Sequence, residues 1–285
     1  MVNTLMLQSE KGQKAHIVIE PSHSWLRLDL GDLWRYRELL FFLAWRDIKV
    51  RYKQTLLGAT WAVIQPLLTM IIFSVIFGQL AGLPSEGIPY PVFTYTALLP
   101  WQLFAFALTQ SSNSLVGSQN LVSKVYFPKL VIPIASVVPG LVDFFISFLV
   151  LMGLMAFYGI PLTARLLALP ALLLLALMTA MAVGLWLSAL NVEYRDVRIV
   201  VPFLTQFWMY ATPIAYSGTI IPEKWRLLYA LNPLTGVVEG FRWALLGKSE
   251  GTGVMIWVST AIVVLLLASG LIYFKHMEDT FADVI

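Results

Sequence analysis

Long apolar runs separated by short charged connections dominate this sequence. Asp, Glu, Lys and Arg are absent from residues 54–85, 87–123, 144–164, 166–190, 199–222 and 254–274. A helix that crosses a bilayer needs about 20 mostly apolar residues, and each run is that long. They predict six spans, at about residues 56–80, 95–116, 134–158, 166–190, 199–216 and 254–274. Two other stretches follow a different pattern. In 33–53 the apolar run 39–45 is too short to span. Arg35, Arg37 and Glu38 precede it, and Arg46, Asp47, Lys49, Arg51 and Lys53 follow. Arg35, Glu38, Arg46, Lys49 and Lys53 share one helical arc, with Phe42 among them, and Asp32 can cap the helix. This reads as an interfacial amphipathic helix or as a solvated basic one. In 217–250, two half-length apolar helices at 223–231 and 234–246 are broken at Asn232–Pro233. Neither can cross alone, so they read as a re-entrant hairpin sheltered by protein or a wet cavity, or else as a surface loop.

The predicted fold is therefore an all-α integral membrane protein. It has six transmembrane helices, an N-terminal interfacial amphipathic helix, and a re-entrant outer half-helix hairpin between spans five and six. Residues 1–31 form a tail, with an extended piece at 15–20. Residues 32–53 form the interfacial helix, 54–275 a single transmembrane domain with its outer hairpin at 217–250, and 276–285 a second tail.

Composition agrees: 59% of residues are hydrophobic and 12% charged, about half the charge of a soluble domain. Residues 1–32 lack the apolar core of a cleaved signal, so the first span is expected to stay as an anchor. There are no cysteines, which excludes thiol chemistry. No basic stripe is interleaved with polar residues, so no nucleic-acid partner is expected. Lys and Arg concentrate in the tail through Lys53, in the connections after spans two and four, and after span six. By the positive-inside rule both termini are cytoplasmic.

Candidate chemistry is sparse. Asp143 is the one acidic residue well inside a predicted span, where a carboxylate is either functional or bonded across a helix interface. Tyr95, Trp101, Phe104, Phe106, Phe207, Trp208, Tyr210 and Tyr216 cluster near one end of spans two and five. They form either an interfacial belt or the sugar-contacting lining of a channel. Glu223 with Arg226, and Glu239 with Arg242, have the spacing of local surface pairs worth a few tenths of a kcal/mol. His16, His23 and His276 all lie in tails, so no catalytic set or metal cluster is visible. Gly247–Lys248–Ser249 mimics a phosphate loop, but Arg242 stands where its first glycine belongs. In the connection after span two, Val125, Tyr126 and Phe127 are expected to be exposed and to seek a partner.

Several motifs carry a resemblance. These are Ile19–Glu20–Pro21, Tyr36–Arg37–Glu38–Leu39–Leu40, Trp45 through Gly58, Trp61, Gln65–Pro66, Lys124–Val125–Tyr126–Phe127–Pro128, Asn191 through Asp196, and Asn232–Pro233. In this order the chain resembles ABC-2 type polysaccharide and O-antigen exporter permeases of the Wzm type. The resemblance implies a non-enzymatic, channel-forming subunit in the bacterial inner membrane. A homodimer would bind two copies of a separate ATPase, which holds ATP and Mg; this chain binds no cofactor. The cargo would be a polyprenyl-diphosphate-linked polysaccharide, with teichoic acid or capsule polymer as alternatives. A membrane enzyme acting on lipid-linked sugars is the rival class. Carried over by motif, Asn120, Leu121, Lys124, Val125, Phe127 and Pro128 dock the ATPase, as do Asn191, Tyr194, Arg195 and Asp196. Arg35, Arg37, Arg46 and Arg51 meet the lipid diphosphate or the membrane surface. Trp225, Arg226, Tyr229, Asn232 and Pro233 belong to the outer gate.

Overall fold

A computed structural model describes residues 30–53, 60–248 and 252–284; the extended piece expected at 15–20 lies outside them. Every regular element among the described residues is helical. In chain order these are α1 (Leu30–Arg35), α2 (Arg37–Lys53), α3 (Thr60–Phe73), α4 (Tyr90–Gly117), α5 (Gln119–Lys124), α6 (Val131–Phe157), α7 (Leu169–Glu193), α8 (Val197–Tyr210), α9 (Glu223–Tyr229), α10 (Pro233–Leu246), α11 (Thr252–Met277) and α12 (Phe281–Val284). A π-helix, Ser74–Leu80, lengthens α3, and a 3-10 turn, Ala164–Ala168, leads into α7.

Among the described residues, five helices are long and apolar enough to cross a membrane: Thr60–Leu80, Tyr90–Gly117, Val131–Phe157, Ala164–Glu193 and Gly253–Thr280. The chain is a multi-pass membrane protein. α4 is the central helix, buried along most of its length and packed against α6 and α7, while α11 lies on α7. Close approach here requires glycine: a Cβ on Gly270 of α11 would stand 2.7 Å from the Ala182 carbonyl oxygen of α7. The main core gathers around Tyr95, Leu98, Phe104, Phe144 and Phe241. A second cluster joins Leu43, Val122, Phe127, Val192, Phe274 and Phe281 at the end of the bundle carrying α5 and α12.

Two expectations change. The helix expected over 199–216 stops at Tyr210. Its 14 residues rise about 21 Å, short of the ~30 Å hydrocarbon core. Pro213 disfavours helix at Thr212, and the chain continues as irregular backbone to the 3-10 turn Gly218–Ile220. The arc of charges before residue 54 loses one member: the helix breaks at Tyr36, which leaves Arg35 on a separate helix, while Glu38, Arg46, Lys49 and Lys53 are exposed on α2. α2 packs on α6 through Leu43 and Ala44, while Phe41, Phe42 and Trp45 are exposed beside Arg46 and Lys49.

Candidate functional site

Three regions gather the polar residues of interest. The first lies between α2, α3, α4 and α6. Asp143, on α6, faces the end of α2. There Arg51 Nη2 reaches its Oδ2 at 2.5 Å and the Tyr52 hydroxyl donates to Oδ1 at 2.5 Å. Desolvation, then Asp143 itself, pushes the Tyr52 phenol well above its usual range, so it stays a donor. The Arg51 guanidinium lies 4.5 Å from the Phe106 ring centroid. A Cβ on Gly140 would collide with that ring. Asp143 is therefore bonded across a helix interface, in agreement with one of its two readings.

Around this pair are two cavities. One, of about 780 Å³, reaches the ends of α4 and α6 at Ser118 and Ile132. The other, of about 360 Å³, runs inward to Trp101, Ser147 and Met209. Arg51, Trp61, Ala62, Phe106, Gln110 and Asp143 line both. Of the aromatics singled out in the sequence, Phe106 and Trp101 reach these walls. Tyr95 and Phe104 do not: both are enclosed in the core, so they present no channel surface in this chain. Phe104 instead packs edge-on to Trp208. Phe207 and Tyr210 are exposed on α8, and the Tyr216 hydroxyl meets that of Tyr229 at 2.6 Å.

The second region is the connection from α4 to α6. α5 leads into Val125 and Tyr126, both exposed, the latter by 70%. Phe127 is only 3% exposed, contrary to expectation: its ring turns into the second cluster beside Phe281. Lys129 folds back beneath the segment. Its Nζ donates to the carbonyls of Val122 and Val125 at 2.9 and 3.0 Å, and its backbone N–H donates to Glu278 Oε1 at 2.8 Å. Burial lowers the Lys129 pKa and Glu278 opposes that shift. Asn120 and Lys124 are exposed, while Leu121 and Pro128 are half-buried. In the connection after α7, Tyr194, Arg195 and Asp196 are exposed. Asn191 is a second correction. At 2% exposure it donates to the Ser112 carbonyl at 2.9 Å and to Asn113 Oδ1 at 3.2 Å, which ties α7 to α4 rather than meeting a partner.

The third region lies at the opposite end. Asn232 caps α10: its Oδ1 accepts from Leu234 N–H and Trp208 Nε1, and its amide donates to the Ala211 carbonyl and Thr212 Oγ1. Pro233 begins the helix buried beside it, and Trp225 is exposed. Arg226 Nε donates to the Ile221 carbonyl. Glu239 and Arg242 are no surface pair. Their side chains are 3% and 2% exposed and 3.0 Å apart. Arg242 also donates to the carbonyls of Tyr216 and Ile214, at 3.1 and 2.9 Å, and lies 3.7 Å from the Phe93 ring centroid. Glu239 accepts from the Gly218 N–H at 3.3 Å. This pair holds the irregular backbone that follows α8, so its carbonyls are satisfied without a helix.

Sequence reasoning missed Trp61 and Gln110 as cavity residues, and Tyr52, Lys129 and Glu278 as anchors. Trp61 and Tyr52 stand within motifs that carry the resemblance and Gln110 is a polar residue inside an uncharged run, whereas Lys129 and Glu278 carry no local signal. Among the described residues no group of carboxylates and histidines could hold a metal. Known proteins supply the wider frame. Residues 38–246 match the family described as ABC-2 type transporter. The chain is 30% identical to the O-antigen export system permease protein RfbA of Myxococcus xanthus, over 89% of this chain and 98% of that protein. It is equally 30% identical to the protein of the same name from Klebsiella pneumoniae, over 91% and 98%. The polysialic acid transport protein KpsM of Escherichia coli is 25% identical, over 82% and 91%. The matched region runs from the start of α2 to the end of α10 and takes in the first and third polar regions and, of the second, both connections, so the chain belongs to the ABC-2 type transporter family.

Proposed function

We propose that this chain is the channel-forming membrane subunit of an ATP-driven exporter, one that carries a polyprenyl-diphosphate-linked polysaccharide of O-antigen type across the bacterial inner membrane. The observation that carries the reading is the 30% identity to O-antigen export permeases over about nine-tenths of the chain. A polysialic acid transport relative favours capsular polymer as the second reading.

Two copies of the chain work with two copies of a separate ATPase. α8 serves as the fifth of six spans in chain order, completed by the irregular backbone after it. Its exposed Ile199, Val200, Phe203 and Phe207 face lipid or the second copy. α9 and α10 form the re-entrant outer hairpin, and α2 lies at the inner membrane surface. Both termini are cytoplasmic, which puts Lys124–Tyr126 and Tyr194–Asp196 on the ATPase side. Nucleotide-driven closure of the ATPases would push on these segments and move the spans as rigid bodies.

Deletion of the gene in its native host is the test. Surface polymer should disappear and lipid-linked polymer should build up inside, and a nucleotide-binding subunit should co-purify with the tagged chain. Unchanged surface polymer would sink the reading. For topology, a reporter that works only in the cytosol, fused after Ile285, should be active.

A further inference from the structure

The cavity walls bear on which part of the cargo they touch, a question that rests on the exporter reading. Among the described lining residues the formal charges are Arg46, Asp47, Arg51 and Asp143. Arg46 pairs with Asp47 at 2.8 Å and Arg51 with Asp143 at 2.5 Å. The wall therefore carries two cations and two carboxylates, each cation already facing an anion. A diphosphate entering here would gain two compensated arginines and meet two like charges, which disfavours it. The remaining surface suits a different ligand. Trp61 is 52% exposed and lines both cavities, offering a flat apolar face. The same linings carry the carboxamides of Gln110 and Gln102, which both donate and accept. The volumes, about 780 and 360 Å³, fall in the range of small-molecule sites.

We propose that the two joined cavities between α2, α3, α4 and α6 form a binding site for neutral sugar units within a single protomer, with the diphosphate excluded. A pyranose ring lies on Trp61. Its hydroxyls bond Gln110, and the Arg51–Asp143 pair supplies donors and acceptors at the junction of the two chambers. The Phe106 ring, seated against Gly140, lies 4.5 Å from the Arg51 guanidinium.

The test uses the full chain with its ATPase partner, in cells making their own polymer. A photoreactive benzoylphenylalanine replaces Ala62, which lines both cavities, in one strain and Ser136, which lines the larger, in a second. A third carries it at Leu149, which is exposed on α6 outside both cavities. After irradiation the permease is purified, and its adducts are stained for carbohydrate and analysed for lipid phosphate. Glycan adducts at 62 and 136 and none at 149 are expected. The Asp143→Asn change, which leaves Arg51 without its carboxylate, should lower the glycan adduct roughly tenfold. A lipid-phosphate adduct without glycan at 62 or 136 would overturn the proposal, as would equal labelling at 149. So would a rise in phosphate adduct with Asp143→Asn as the only effect, or silence at both cavity positions in cells that still export. Export is scored separately by surface polymer in the deletion strain. A silent cavity in an exporting strain refutes this site alone, whereas a deletion strain that keeps its surface polymer refutes the exporter reading beneath it.

Discussion

Glu239→Ala should be among the most destabilising single changes in the chain. It removes the carboxylate facing Arg242 and leaves a guanidinium that is 2% exposed. Two of its neighbours, the carbonyls of Ile214 and Tyr216, carry only partial charge. Breaking one side of a buried pair costs about 3–5 kcal/mol, because the survivor is buried without the charge it faces; the lower end is expected here, since a second carboxylate, Glu86, also acts on Arg242. Arg242→Met should cost a similar amount, since it takes the Arg242 cation from the buried Glu239 and the donor from both carbonyls. Arg242→Lys should not rescue, because a point ammonium cannot reproduce the planar fork that serves two carbonyls and a carboxylate while lying on the Phe93 ring. The double change Glu239→Leu with Arg242→Met removes both charges and should cost less than the two singles together, leaving chiefly the orphaned carbonyls at about 1–3 kcal/mol each. The assay is thermal unfolding of the purified protein in detergent, followed by the fraction that stays monodisperse. A single change that costs less than about 1 kcal/mol would refute the reasoning, as would a double that costs as much as the two singles together.

Other expectations follow from the same contacts. Tyr126→Glu should abolish co-purification of the ATPase without loss of membrane insertion; retained co-purification would remove Tyr126 from the docking surface. Phe127→Ala should act differently and lower the permease's own stability by about 3–5 kcal/mol, as expected for a buried aromatic, measured by the same detergent melt. Gly270→Ala should cost about 1–3 kcal/mol, because the obstacle is the backbone carbonyl of Ala182 and not a side chain that can turn aside. A melt indistinguishable from the parent would show that α7 and α11 part freely.

The long helices were legible because an uncharged run of about 20 residues has few other ways to satisfy its backbone in lipid. The break between α9 and α10 was legible because Asn232–Pro233 carries its own punctuation: Asn232 caps α10 through its side chain. What the sequence hid depends on contacts between distant positions. Arg51 and Asp143 belong to helices joined only through intervening elements, and no local spacing pairs them. Glu239 and Arg242 read as a solvated i,i+3 pair, because nothing nearby announces the carbonyl of Ile214, 28 residues away. Phe127 sits in a short connection, and Asn191 read as part of one although it belongs to the last turn of α7. Their burial is decided by α12 and α4, which the local sequence does not encode.

The anchorage of Lys129 on Glu278 has a consequence for biogenesis. Glu278 and Phe281, which brace the segment between α4 and α6, lie at the end of the last of the five long helices and are translated after the other four. A nascent chain can insert those four helices while this segment still lacks its support. The surface around Tyr126 is thus finished last, and an ATPase that reads it would pass over chains still on the ribosome or cut short before residue 278.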